Sequence, residues 1–128
     1  MVAVPEYIAN NAQRALDNIE FKGDGVTPKT LRETRQLARG DASENKIMRM
    51  AAWFARHETD LRTPGANDYL SEGGTMTSGQ WAWLAWGGDI GRENRLRAMQ
   101  WAKRYTERVR EAEKELSASV TALSLIHI

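Results

Sequence analysis

The chain contains no cysteine. That excludes a disulfide framework, a thiolate zinc site and a cysteine nucleophile, and it suits a cytoplasmic or virion protein. Histidine is nearly as scarce: His57 and His127 are the two present, too few imidazoles for a metal site without other ligands. No apolar run approaches the roughly 20 residues a membrane-spanning helix needs. No basic segment followed by an apolar stretch opens the chain, so no secretory leader is expected. An excess of one charge is missing as well. Eighteen Lys and Arg stand against 17 Asp and Glu, a net charge of +1, so bulk charge gives no argument for nucleic acid. What is left is 128 residues, the length of one domain, enough to bury about two-thirds of the unfolded surface without a staple.

The charge is unevenly spread. Residues 1–28 carry two basic and four acidic groups, and residues 29–62 carry eight and five. Residues 63–88 carry none and two, and residues 89–128 carry eight and six. Two mildly basic segments flank a neutral one rich in tryptophan, and any nucleic-acid footprint is expected on those two.

Taken in order, Pro5 and Glu6 make a good first helical turn. Ile8, Ala12, Leu16 and Ile19 then recur at helical spacing to a stop near Glu20, before the turn signal Gly23-Asp24-Gly25. That Gly-x-Gly lacks the strand and third glycine of a phosphate loop. Thr27-Pro28 reads as an N-cap and first position, and Gly40 as the C-cap that follows. Ser43 opens a third helix whose Ile47, Met50, Ala51 and Phe54 share a face. From Thr59 to Thr77 periodicity disappears into a long loop, with Tyr69, Leu70 and Met76 as candidate anchors.

The densest stretch is Gln80-Trp81-Ala82-Trp83-Leu84-Ala85-Trp86-Gly87-Gly88-Asp89, with three of the five tryptophans within six residues. Alanine content and the glycine pair favour a short helix. Its rings point in several directions, so Trp81, Trp83, Trp86, Gly87, Gly88 and Asp89 read as a structural hub, apolar all round and therefore buried. Asp89 is expected to cap a long final helix. Ala98, Ala102, Tyr105, Val109, Ala112 and Leu116 alternate at spacings of four and three, a heptad seam of small residues continuing to Val120. A helix from 89 to 117 spans about 42 Å, more than a domain of this size, so residues 98–122 are expected to project and to pair with a copy of the chain, another protein or a continuation of the chain. Leu123-Ser124-Leu125-Ile126-His127-Ile128 matches one reading frame of a transposon mosaic-end sequencing adapter, and is set aside as an expected adapter-derived tail of a metagenomic reading frame.

Chemistry is sparse. His57 reads as a cation at a helix C-terminus. Ser43, Ser71 and Ser78 lack a partner histidine and nucleophile-elbow glycines. Glu111, Glu113 and Glu115, spaced by two, do not converge. Neither a catalytic residue nor a cofactor or metal site is expected. The alternative to a protein-contact module is a nucleic-acid surface in which Trp53 stacks on a base while Lys46, Arg49, Arg56, Arg104 and Arg108 meet phosphate. A helix-turn-helix reading of the second and third helices lacks its small-residue and glycine offsets, and a plain hairpin with a solvated basic face competes with it.

Two blocks carry a resemblance. Ser43-Glu44-Asn45-Lys46-Ile47-Met48-Arg49-Met50, running into Trp53-Phe54-Ala55-Arg56-His57-Glu58, is one. Ala82-Trp83-Leu84-Ala85-Trp86-Gly87-Gly88-Asp89-Ile90-Gly91 is the other. With Thr30-Leu31-Arg32-Glu33-Thr34-Arg35 and Leu37-Ala38-Arg39-Gly40 they resemble a small helical segment of tailed-phage and prophage proteins, near head-assembly or structural genes. The likeness covers roughly residues 8 to 95 and departs after Gly91. It implies no catalytic residue, and it implies a place in the infected host's cytoplasm or in the virion. The expectation is an all-α bundle of about five helices, residues 1–122 forming one domain (63–77 a long loop), with a partly projecting C-terminal helix.

Overall fold

The structure is a computed structural model that describes residues 1–59 and 76–126, with side chains to residue 122. Helix α1 spans Glu6–Asp17, α2 Pro28–Ala38, α3 Glu44–His57, α4 Ser78–Ala85 and α5 Arg97–Ile126. The fold is all-α. Among the described residues the one sheet is a small antiparallel pair, β1 (Val2–Ala3) against β2 (Asp41–Ala42), with Val2 opposite Ala42. No sequence signal marks that pair, because two residues show no alternation. It seats the N-terminal segment beside the α2–α3 turn, where Gly40 takes φ +94°.

The starts of α2, α3 and α4 are set by capping chemistry. Thr27 and Ser43 accept hydrogen bonds from the amides of Thr30 and Lys46, satisfying first-turn donors that have no partner inside the helix. Thr77 and Gln80 form a reciprocal capping box at α4. Helix α1 stops at Asp17, short of Glu20. The Asn18 side chain donates to Arg14 O at 2.8 Å, and a 3₁₀ turn carries Ile19–Phe21 instead.

The expected cap at Asp89 is not there. Asp89 folds back, its carboxylate accepting from Gly91 N at 2.7 Å, and turns continue to residue 96 before α5 begins at Arg97. Ile90, 1 % exposed, plugs this connection into the core. An Asx turn competes with helix at such a site, and the buried Ile90 fixes the outcome. The long helix is therefore shifted by a full segment, yet 30 residues still reach about 45 Å.

Packing is layered around α4. Helix α1 lies against α2 and α4, and α3 against α5. Ile8, Ala12, Leu37, Ile47, Met50, Phe54, Trp81, Leu84, Ala98 and Ala102 fill the shared core. Met76 is buried beside it, while Tyr69, Leu70 and most of the expected loop lie outside the described residues. Helix α5 leaves the core early: the last residues with buried or half-buried side chains are Thr106 and Val109, and residues 111–122 are exposed throughout. Only this second part projects, not the whole of 98–122.

Candidate interaction surfaces

Trp81 and Trp83 are fully buried, and each spends its indole N–H on a backbone carbonyl. Trp81 Nε1 donates to Ala15 O at 2.7 Å and Trp83 Nε1 to Asp89 O at 3.0 Å. The carbonyls at the end of α4 are met in turn: Thr34 Oγ1 donates to Ala85 O at 3.1 Å and Asn11 Nδ2 to Gly87 O at 3.0 Å. Buried polar groups are as a rule paired, and here the pairs tie α4 to α1 and α2. Gly87 sits at φ +97°, and a Cβ there would lie 2.6 Å from Ile8 Cγ2. At Gly88 it would run into the Trp83 indole and reach 2.9 Å from Phe54 Cε1. Gly87 is thus dictated twice, by backbone sign and by close approach, and Gly88 by close approach.

Trp86 begins a column of rings. One face of its indole stacks on Trp53, centroids 4.8 Å apart and 10° from parallel. Trp53 stacks in turn on His57 at 4.4 Å. The Lys46 Nζ stands 3.3 Å from the Trp86 ring centroid. Trp53 is therefore half-buried and stacked on two rings of its own chain, rather than standing clear as a base-stacking platform. A shallow cleft of about 310 Å³ beside the column is lined by residues including Val26, Thr30, Trp53, His57, Ser78 and Trp86.

Lys46, expected on a solvated basic face, is 1 % exposed. Its neighbours are the Trp86 ring and Glu33 Oε1 at 3.7 Å, and its Nζ has no hydrogen bond. Burial pushes its pKa down to about 7, while Glu33 pulls the other way. The ring quadrupole also favours the cation. Burial alone would raise the Glu33 carboxyl, but a hydrogen bond from Arg49 and the charge of Lys46 outweigh it and hold the pKa below the ordinary value. Arg49 grips Glu33 through both terminal nitrogens and Asn45 Oδ1 through Nε at 2.7 Å. Of the expected phosphate-facing cations, Lys46 and Arg49 are thus committed inside the chain, while Arg56, Arg104 and Arg108 are exposed. Glu33, which organises the first two, carries no signal in the sequence, since it lies on a different helix.

The expected association seam is divided. Ala98 and Ala102 are buried in the chain's own core, and Tyr105 and Val109 are half-buried. Beyond them the same stripe runs on without cover: Ala112 is exposed, Leu116 is 66 % exposed and Val120 55 %. Beside the α3–α5 contact lies a groove of about 360 Å³ lined by Met48, Ala51, Ala52, Ala55, Met99 and charged residues of α5. Sequence reading missed it. Its trace is the run of alanines next to the Ile47–Phe54 stripe, too small to fill the angle between two helices.

Among the described residues, no group of three or more His, Asp or Glu is placed to hold a metal ion, and no helix is long and apolar enough to cross a membrane. No protein-family model, curated protein or solved structure matches the chain.

Proposed function

We propose that this chain is a non-catalytic helical module that works by protein–protein contact through the second half of α5, in the structure or assembly of a tailed phage. One observation carries the contact reading. The apolar spacing that packs α5 on α3 continues past the domain, and among the described residues leaves Leu116 and Val120 the most exposed large aliphatic side chains after the N-terminal methionine. A helix stripe of this kind in water is a surface awaiting a partner. An isolated helix of this length is marginal in water, so a partner is also what would keep it helical. The non-catalytic reading rests on the residue inventory, with no cysteine and a single histidine before the tail. The phage setting rests on the resemblance of the Ser43–Glu58 and Ala82–Gly91 blocks, and places the chain in the host cytoplasm or the virion.

Sedimentation equilibrium of the whole chain beside a chain ending at Arg110 tests the contact reading. The expected result is a mass above the monomer for the whole chain, rising with concentration, and a folded monomer for the shortened one. Two monomers at every concentration would remove the homomeric form of the reading. Portal, terminase or capsid genes on either side of the reading frame would support the setting, and a metabolic operon there would contradict it.

A further inference from the structure

The charges of α5 are segregated. Residues 103–110 hold Lys103, Arg104, Arg108 and Arg110 against Glu107, whereas residues 111–122 hold Glu111, Glu113 and Glu115 against Lys114. Parallel pairing of two such helices sets like charge on like; antiparallel pairing sets the acidic run of each beside the basic run of the other. The lengths agree with the antiparallel case. The groove follows α5 from Met99 to Arg110, about 17 Å, and residues 111–122 span about 18 Å.

The faces agree too. Tyr105 reaches Glu44 at the start of α3, and α5 is buried only on the N-terminal side of Arg110, so α3 runs antiparallel to α5 from there. At 100° per residue, the buried stripe of α5 (Ala98, Ala102, Val109) and its groove side (Met99, Lys103, Thr106, Glu107, Arg110) stand about 100° apart, so the groove opens beside the α3 contact. A third helix laid antiparallel to α5 in that angle turns Leu116 and Val120 toward α3 and Glu113 toward α5.

We infer that the occupant of the α3–α5 groove is the projecting α5 segment of a second copy of this chain. The exchange is reciprocal, giving a two-fold dimer with its axis near Arg110. Leu116 seats by Ala51 and Ala52 of the second copy, Val120 by Ala55, and Glu113 lies between Lys103 and Arg110 of the groove wall. The inference rests on the contact reading above and adds the receptor to it. An isologous contact of this kind closes on itself. Two such helix faces make an interface at the small end of the stable range, about 1,200 Å², so association is expected to be micromolar and weakened by salt.

Ala52 and Ala55 are exposed on α3, so larger side chains there leave the core intact. Sedimentation of Ala55→Arg is expected to return the monomer mass with an unchanged helical spectrum, as is Leu116→Asp. Oxidising a mixture of Ala52→Cys and Leu116→Cys chains is expected to give the mixed dimer in excess over either self-linked one. If Leu116→Asp dissociates the protein while Ala55→Arg does not and the mixed dimer fails to form, the groove is not the receptor and the inference falls, with the contact reading intact. If the unaltered chain is monomeric throughout, both fall together.

Discussion

A lysine ammonium lies against the Trp86 indole face, with a carboxylate 3.7 Å away and no hydrogen bond of its own. Removing a cation from water costs more than one such partner returns. Its folded pKa, near 7, lies below the unfolded value of 10.5. Between those two pH values the unfolded chain keeps a proton that the folded chain has released, so this group's contribution to stability rises with pH across the window. Below about pH 7 the full cost of the buried charge is carried. Lys46→Met is therefore expected to stabilise the fold at pH 6, by about 1–4 kcal/mol, with the gain shrinking as pH climbs from 7 toward 9. Urea unfolding at several pH values measures it, and a pH-independent difference would contradict the account. Glu33 keeps Arg49 in that variant, so no carboxylate is stranded. At the hub, Trp83→Ala or Trp86→Ala is expected to cost about 3–5 kcal/mol as core truncations, read by the same titration. Loss of partner binding at full stability would instead mark these rings as a contact surface.

Helix α4 shows how much one element depends on its ends. It is short and has almost no polar face, so its position comes from the capping box before it and the glycine pair after it. Thr77→Ala is expected to lower stability by about 1 kcal/mol, and Gly88→Ala by more, since its Cβ meets two buried rings; thermal melts order the two. The caps at Thr27 and Ser43 were legible because a hydroxyl before a helical stripe has one main use. The Ile47–Phe54 face was legible because burial repeats at the helical period. Asp89 misled for a physical reason: the same carboxylate that caps helices also closes Asx turns, and only the burial of Ile90, a tertiary fact, decides between them. Lys46 misled likewise. Its place on the wheel beside polar residues says solvent, but Glu33 and Trp86 arrive from other helices and no local pattern announces them.

At the scale of the molecule the stripe on α5 does two jobs. Its first half closes the core through Ala98 and Ala102, and its second half carries Leu116 and Val120 past the domain into water. The heptad spacing was legible in the sequence, but not where its use inside the chain ends. That boundary depends on the length of α3 and where its N-terminus falls beside Tyr105. A helix with no tertiary contact opens readily and its amides exchange quickly, whereas one held in a groove is protected. Hydrogen exchange across residues 111–122, followed over a concentration series of the whole chain, therefore tests the central claim most directly. The account predicts fast exchange in dilute solution and protection that grows with concentration, beside unchanged slow exchange in α4. Exchange across 111–122 that does not change with concentration would contradict it.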